Sequence, residues 1–155
     1  MMENDEVYMQ KALLQAKYAF EENEVPVGAV IVYDNRIIAK AHNQIERLKD
    51  PTAHAEMIAI TQATSFLQSK WLNKCTLYVT LEPCLMCAGA LVLSRIDKVI
   101  FGAVDPKTGA FGSKIDINEL ALNHKIKIKK NILENECSII IKEFFKKKRK
   151  ANYLS

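Results

Sequence analysis

Long apolar runs are missing from this sequence. None of its stretches reaches the roughly 18 consecutive apolar residues that a membrane-spanning helix needs. Glycine occurs five times and proline four times in 155 residues, and 49% of the residues are apolar, so collagen-like, coiled-coil and disordered compositions are excluded. Residues 1–12, MMENDEVYMQKA, contain neither a basic cluster nor an apolar stretch. We therefore expect no signal peptide, no membrane association and a cytoplasmic location.

Cysteine is scarce as well, with four residues in the chain. Because thiols stay reduced in the cytoplasm, the four cysteines are interpreted first as metal ligands, catalytic groups or buried thiols, and only then as disulfides. Cys75 and Cys137 stand outside any motif and are predicted to be small buried apolar residues. Cys84 and Cys87 belong together.

The length of the chain predicts a single domain over residues 1–155. Its net charge of +4 is unevenly distributed, because an unbroken basic run occupies residues 146–150 and further lysines lie within 125–130. Without the run the rest of the chain would be slightly acidic. Attraction to polyanions is therefore expected mainly at the C-terminal region, about 135–155.

Hydrophobic periodicity and turn signals divide the chain into helices and strands. Helices are predicted over 5–22, 53–67, 84–94 and 135–150, and strands over 26–34, 36–43, 75–81 and 98–103, with an edge strand within 125–130. Asp50 or Thr52 is expected to cap the helix at 53–67. Strands that alternate with helices predict a three-layer α/β/α sandwich, in which a central mixed sheet of about five strands carries helices on both faces.

Cys84 and Cys87 are three residues apart, so on a helix they share one face and can occupy two corners of a tetrahedral zinc site. Pro83 puts both at the start of that helix, where the helix dipole favours thiolate. His54 stands at the start of another predicted helix. If the two helix starts face each other, three ligands bind the metal and the fourth position stays open for water, as in catalytic zinc sites.

Glu56 lies two residues after His54, which turns it away from the ligand face of an ideal helix. A carboxylate beside a metal-bound water can take a proton from that water and return it to a leaving group.

Taken singly, each feature of this pattern has a simpler interpretation. C-x-x-C is also a redox pair or half of a structural zinc site, a lone histidine is usually a satisfied one, and a carboxylate often begins a helix. The joint pattern H-A-E…P-C-x-x-C favours a catalytic zinc.

That pattern is the signature of zinc-dependent nucleobase deaminases. Beyond it, the sequence resembles bacterial tRNA-specific adenosine deaminases over about residues 7–150, through VPVGAVIV, DPTAHAEM, TLYVTLEPCLMCAGAL, SRIDKVIFGAVDPKTGAFGS and ECSIIIKEFFKKKRK. The resemblance implies a cytidine deaminase-like fold, one Zn²⁺ per subunit and a homodimer. It also implies conversion of adenosine to inosine at the wobble position of a tRNA anticodon stem-loop, typically of an arginine tRNA.

The resemblance further implies roles for single residues. His54, Cys84 and Cys87 would bind zinc and Glu56 would carry the proton; Asn43 would hydrogen-bond the bound nucleoside, Asp105 would lie near the substrate nucleotide, and Phe144 and Phe145 with the basic run would contact the anticodon stem-loop. His42 departs from the family, since some relatives carry tryptophan there.

From the residues alone, several of these positions have other interpretations. Asn43 could cap the end of its strand, and Asp105 could form the turn before Pro106. Lys107 is a candidate phosphate contact or a solvated loop lysine. The C-terminal lysines could complement the dipole of their helix. Gly89 inside a predicted helix suggests a close helix contact at a subunit interface.

Two other functions are compatible with the motifs. The first is a deaminase of a free base or nucleoside, such as cytidine, deoxycytidylate or guanine, because the metal chemistry is shared. The second is a non-catalytic zinc module that binds RNA. It would need a fourth protein ligand, for which the candidates are His42, His124, Cys75 and Cys137.

Overall fold

The computed structural model describes residues 2–154 and the side chains of residues 4–153, so Met1 and Ser155 of the predicted domain lie outside the described part. In chain order the elements are α1 (Met2–Glu21), β1 (Gly28–Tyr33), β2 (Arg36–His42), α2 (Ile45–Leu48), α3 (Ala55–Leu67), β3 (Cys75–Leu81), α4 (Leu85–Leu93), β4 (Lys98–Ala103), a 3-10 turn (Ile117–Leu120), β5 (Lys127–Lys129) and α5 (Glu134–Leu154). Within residues 2–154 no helix combines the length and apolar character of a membrane span.

The five strands form one mixed sheet in the order β2-β1-β3-β4-β5. The β1–β2 hairpin and the β1–β3 pair are antiparallel, whereas β3, β4 and β5 are parallel. The short strand β5 lies at one edge of the sheet, and its lysines discourage further pairing there. The predicted mixed sheet and the predicted edge strand are both confirmed.

Alternate residues of the central strands face opposite sides of the sheet, as the two-residue period of a strand requires. Ile31, Leu77 and Val99 share a core cluster with Ala59 of α3 and Leu91 of α4, whereas Val30, Tyr78 and Ile100 share a second cluster with Met9 of α1 and Cys137 of α5. The sheet therefore has α3 and α4 on one face and α1 and α5 on the other, which confirms the three-layer sandwich.

The segment before α3 differs from the prediction. The structure has a short helix, α2, within the predicted polar connection, and α3 begins at Ala55 with His54 as its N-cap. Asp50 does not cap α3, because its carboxylate accepts hydrogen bonds from the backbone N–H and the hydroxyl of Thr52 instead. The connection is therefore stabilised by its own hydrogen bonds, and it ends at His54, directly before α3.

Candidate metal centre and substrate groove

The starts of α3 and α4 bring three potential metal ligands together. His54 and Cys84 are the N-cap residues of the two helices, both in extended backbone conformation and without a side-chain cap hydrogen bond, and Cys87 lies one turn further along α4. The Nδ1 atom of His54 lies 3.7 Å from Cys84 Sγ and 3.5 Å from Cys87 Sγ. The sequence expectation that two helix starts face each other therefore holds in the structure.

These separations match a tetrahedral zinc site. With Zn–S near 2.3 Å and Zn–N near 2.0–2.1 Å, two ligand atoms of a tetrahedron lie roughly 3.5–3.8 Å apart. In the described part of the chain the metal-competent cluster comprises His54, Cys84 and Cys87, whose ligand atoms all lie within 4.8 Å of one another. Three donors of this kind fit a zinc ion that keeps one position for a non-protein ligand.

The three groups of the cluster share protons through hydrogen bonds. Hydrogen bonding with the Cys87 thiol lowers the pKa of Cys84 to about 4, against the opposing effect of burial. The same hydrogen bond, together with burial, raises the pKa of Cys87. Hydrogen bonding with Cys84 raises the pKa of His54. A divalent cation would displace the protons that these groups share, because metal ligands bind in their deprotonated forms.

Glu56 occupies the second position of α3 and is only 4% exposed. Burial raises its pKa to about 7, and the Cys87 thiol and His54 are among the groups that act on it. It does not belong to the three-residue cluster found in the described chain. A buried carboxyl group beside the cluster, with a pKa near neutrality, can both accept and donate a proton.

Asn43 follows the last residue of β2 and is buried. Its Oδ1 accepts a hydrogen bond of 2.8 Å from the backbone N–H of Ala55, so it caps the start of α3 rather than the end of its own strand. This fixes the orientation of the amide and leaves Nδ2 as a donor next to the helix start that carries His54.

Asp105 organises its own loop. Its carboxylate accepts hydrogen bonds from the backbone N–H groups of Lys107 and Thr108 and from the Thr108 hydroxyl. This is the turn-forming arrangement that a residue before Pro106 was expected to allow. The same turn leaves Lys107 exposed at the loop surface.

Three predicted substrate-binding residues line one groove. Asp105, Lys107 and Phe145 contribute to a groove of about 610 Å³ between the loop that follows β4 and the face of α5. Phe144 points elsewhere: it is 3% exposed and its ring packs edge-on against Phe20. Phe145 is 40% exposed, so within this aromatic pair it is the ring that a ligand can reach.

The basic run 146–150 lies on α5, which continues as helix to Leu154, and its side chains are exposed. Lys147 and Lys148 lie over the rings of Phe20 and Phe144, at 5.4 and 5.6 Å from the ring centroids. These cation–π contacts hold part of the positive charge close to the protein surface.

Sequence reasoning missed Glu82, which is buried between β3 and Cys84 and accepts four hydrogen bonds from the loop 105–113. A signal was available in the motif LEPC, where a carboxylate directly precedes the proline and cysteine at the end of an apolar strand. Its partners are 23 to 31 residues away in the chain, so spacing alone did not reveal them.

The candidates for a fourth metal ligand lie elsewhere. His42 contacts Glu22 and Gln15, and His124 contacts the backbone carbonyl of Ile96. Cys75 and Cys137 are fully buried in the two core clusters, as expected of small apolar residues. This distribution argues against a closed four-ligand zinc site in the described chain.

Gly89 does not make the close helix contact that was expected. A Cβ atom at this position would meet no atom within 4 Å in the described chain. Gly89 instead borders an apolar groove of about 880 Å³ on the outer side of α4. Large exposed apolar side chains surround it: Trp71, Leu85, Leu93, Leu120 and Leu122.

Comparison with known proteins supplies the family context. A family model described as MafB19-like deaminase matches residues 3–149. The chain is 57% identical over 145 residues to the tRNA-specific adenosine deaminase of Aquifex aeolicus (strain VF5), covering 93% of this chain and 95% of that protein. It is 48% identical over 150 residues to the protein of the same name from Bacillus subtilis (strain 168), covering 96% and 93%. A solved structure from a study of A-to-I editing by tRNA:A34 deaminases at the wobble position superposes with a TM-score of 0.80 at 39% identity, covering 86% of this chain and 98% of that one.

Proposed function

This chain belongs to the family of bacterial tRNA-specific adenosine deaminases, and on that premise we propose that it hydrolyses adenosine to inosine at the wobble position of a tRNA anticodon. The observation that carries the proposal is the cluster of His54, Cys84 and Cys87 beside the buried carboxyl group of Glu56. Three protein ligands and one unligated acid are the combination that metal-assisted hydrolysis requires.

His54, Cys84 and Cys87 would hold one Zn²⁺ per subunit. When bound, zinc supplies a water molecule whose pKa is lowered to about 7, which makes a nucleophile available at neutral pH. The thiolates of Cys84 and Cys87 would balance the charge of the ion, and the neutral imidazole of His54 would complete the three protein ligands. The helix dipoles favour the anionic ligands at these positions.

Glu56 would move the protons of the reaction. Attack at C6 of adenine breaks the aromaticity of the ring, so N1 must gain a proton and the leaving amine must gain another. A buried carboxyl group with a pKa near 7 can take one proton from the attacking water and deliver it to N1, and then take the proton of the new C6 hydroxyl group and deliver it to the leaving amine. The products are inosine and ammonia.

The groove beside the loop 104–114 would receive the RNA. Its apolar floor, with Phe145 and Lys107 at its border, suits a base and the phosphate next to it. Asn43 would donate from Nδ2 to the nucleoside, and Asp105 would hold the loop that borders the substrate nucleotide. The base must leave its stack to enter, which costs least for an unpaired base in an anticodon loop.

The basic face of α5 would contact the phosphate backbone of the anticodon stem-loop. Residues 146–150 are exposed and follow Phe145 on α5, so they spread positive charge around the helix. Phe144 would support this surface from inside through its contact with Phe20. We expect these contacts to position the RNA without reading its sequence, because phosphate contacts carry no sequence information.

The outer face of α4 would contact a second copy of the chain. Exposed leucines and Trp71 border an apolar groove there, and Gly89 leaves room for a close approach. An apolar patch of this kind marks an interface more often than a free surface. A homodimer would bury it.

The remaining elements of the proposal are a single domain over 1–155, a cytoplasmic location and an arginine tRNA as substrate.

Incubation with competing substrates tests the function. We expect inosine to form in anticodon stem-loops that carry adenosine at the wobble position, and not in stem-loops that carry guanosine there. Free adenosine, cytidine, deoxycytidylate and guanine should react far more slowly. Turnover of cytidine or guanine without turnover of the stem-loop would identify a deaminase of free bases or nucleosides instead.

A further inference from the structure

Glu82 is a buried carboxylate outside the proposed catalytic set. It lies between the last residue of β3 and the Pro83–Cys84 pair, and it is 2% exposed. A carboxylate at such a depth is costly unless hydrogen bonds replace its lost hydration. Its hydrogen-bond partners therefore decide whether this buried position is stable.

All four hydrogen bonds that the Glu82 carboxylate accepts come from the loop that follows β4. Oε1 accepts from the backbone N–H of Asp105 at 3.0 Å and from the Ser113 hydroxyl. Oε2 accepts from the backbone N–H groups of Phe111 at 3.0 Å and Ser113 at 3.2 Å. One side chain thus holds both ends of the loop 105–113.

Gly109 shows how closely the loop wraps this carboxylate. A Cβ atom at residue 109 would lie 2.3 Å from Cδ of Glu82 and 2.4 to 2.5 Å from its oxygens. The same loop pairs with the metal-site segment through a bridge between Gly109 and Cys84, and through a hydrogen bond of 2.9 Å from Ala110 N–H to the Pro83 carbonyl. The loop and the start of α4 are therefore joined through residues 82–84.

We propose that Glu82 is a positioning residue that fixes the loop 105–113, and with it Asp105 and Lys107, at a set distance from the metal centre. The inference rests on the proposed function, because it assigns this loop to the substrate groove. Glu82 itself touches neither the base nor the metal. It makes the groove rigid before RNA binds, so that binding does not have to order the loop.

The substitution Glu82→Gln weakens the hydrogen bonds to the loop 105–113 with almost no change in the size of the side chain. In either orientation of the new amide, its NH₂ group faces donors, and at least one backbone N–H among Asp105, Phe111 and Ser113 loses its acceptor. We expect KM for the anticodon stem-loop to rise about 10-fold or more, the factor that one lost hydrogen bond to a charged group represents. The value of kcat should change less than about 3-fold, because Glu56 and the metal ligands are unaltered.

Gly109→Ala serves as a second variant. The added methyl group would displace the Glu82 carboxylate from its hydrogen-bond donors, while the side chains of Glu82 and Ser113 stay as they are. It should raise KM in the same way. When it is added to Glu82→Gln, the further rise should be smaller than in the wild-type chain, because the two changes break the same contact. Glu6→Gln, an exposed glutamate of α1, is the matched control and should leave KM unchanged.

Steady-state kinetics, zinc content and amide hydrogen exchange decide the matter together. The proposal is supported if both variants raise KM, keep zinc and speed the exchange of amides 105, 111 and 113. It is overturned if exchange speeds up while KM stays the same, if exchange stays the same, or if the variants lose zinc together with kcat. Absence of inosine with the wild-type protein would refute the proposed function instead. Hydrogen exchange would still show whether Glu82 holds the loop 105–113 in place.

Discussion

At the scale of single residues, the proposed metal ligands stand where helices begin. His54 and Cys84 both occupy N-cap positions, where the backbone turns and the side chain is free to point away from the helix. Neither makes a side-chain cap hydrogen bond. Asn43 supplies the missing cap at Ala55, so His54 is released from that structural task. The start of α3 is therefore capped without the His54 side chain, whose Nδ1 faces the thiols of Cys84 and Cys87 instead.

Replacement of Cys87 tests the ligand set. We expect Cys87→Ala to lose zinc, because two protein ligands do not hold the ion as three do. Cys75→Ala is the matched control, since Cys75 lies buried at the start of β3 and burial raises its pKa to about 11, so it should keep one zinc per subunit. Metal analysis of the purified proteins measures the difference. Equal zinc content in both variants would contradict the assignment.

The clustering of His54, Cys84 and Cys87 could be predicted from the sequence because these residues lie within two short motifs, and their roles as ligands, like that of Glu56, stay predictions. The contact of Glu82 with the loop 105–113 and the capping of α3 by Asn43 could not be predicted, because the hydrogen-bond partners are 12 to 31 residues away in the chain. Spacing along one helix carries information about one face of that helix. It carries none about which loop folds over a given carboxylate, so that part of the site required coordinates.

At the scale of elements, β3 and β4 have the bounds that their apolar patterns predict, because both strands are buried and end at polar or turn residues. The short helix α2 was missed. Four residues are too few for a periodic pattern, and α2 depends on Glu24, whose carboxylate accepts hydrogen bonds from the backbone N–H groups of Glu46 and Arg47. A short helix that is stabilised by a carboxylate from a distant part of the chain cannot be recognised from its own residues.

The start of α1 is tied to the sheet by a second buried carboxylate. Asp5 accepts hydrogen bonds from the Tyr78 hydroxyl at 2.7 Å and from the Lys129 ammonium. Burial acts to raise the pKa of Asp5, but the hydrogen bonds from Lys129 and Tyr78 outweigh it and hold the pKa below its ordinary value. The tie therefore links α1 to β3 and to the edge strand β5.

Asp5→Asn should lower the free energy of unfolding by about 2 kcal/mol at neutral pH, since the amide cannot match the ion pair. A carboxyl group with a depressed pKa in the folded state stabilises the protein above its unfolded-state pKa. That stability disappears as the pH falls through the lower folded-state pKa. Urea unfolding of both proteins should thus show a difference that is constant above about pH 5 and shrinks below about pH 4.

Asp34→Asn is the control, because Asp34 is exposed in the turn between β1 and β2. It should change stability by less than about 0.5 kcal/mol at any pH. A loss of stability in Asp5→Asn that persists unchanged at pH 3 would show that the tie acts by packing and not by charge.

At the scale of the whole molecule, the proposed site lies where elements of both helix layers meet. The starts of α3 and α4 come from one face of the sheet, while α5 comes from the other. The loop that follows β4 joins them at the carboxyl ends of the parallel strands, where α/β sheets commonly bind ligands. The proposed metal ligands and the wall of the groove that α5 supplies thus both adjoin this loop, although they come from opposite layers.

The exposed apolar face on α4 makes a prediction about assembly. Leu93 is 77% exposed there, and a charge at this position would oppose burial against a second copy. We expect Leu93→Glu to convert a dimer into a monomer in light scattering after size-exclusion chromatography. Val7→Glu, on the exposed side of α1, should leave the dimer intact. A wild-type protein that is monomeric at micromolar concentration would contradict the proposed homodimer.

Glu56 gives the most direct test of the central claim. We would measure inosine in an anticodon stem-loop with adenosine at the wobble position, together with zinc content, for the wild-type protein and for Glu56→Gln. The account predicts one zinc per subunit in both proteins, inosine with the wild type, and a rate lower by about 10²- to 10⁴-fold in the variant. Equal rates in the two proteins, or no inosine with a zinc-loaded wild type, would contradict it.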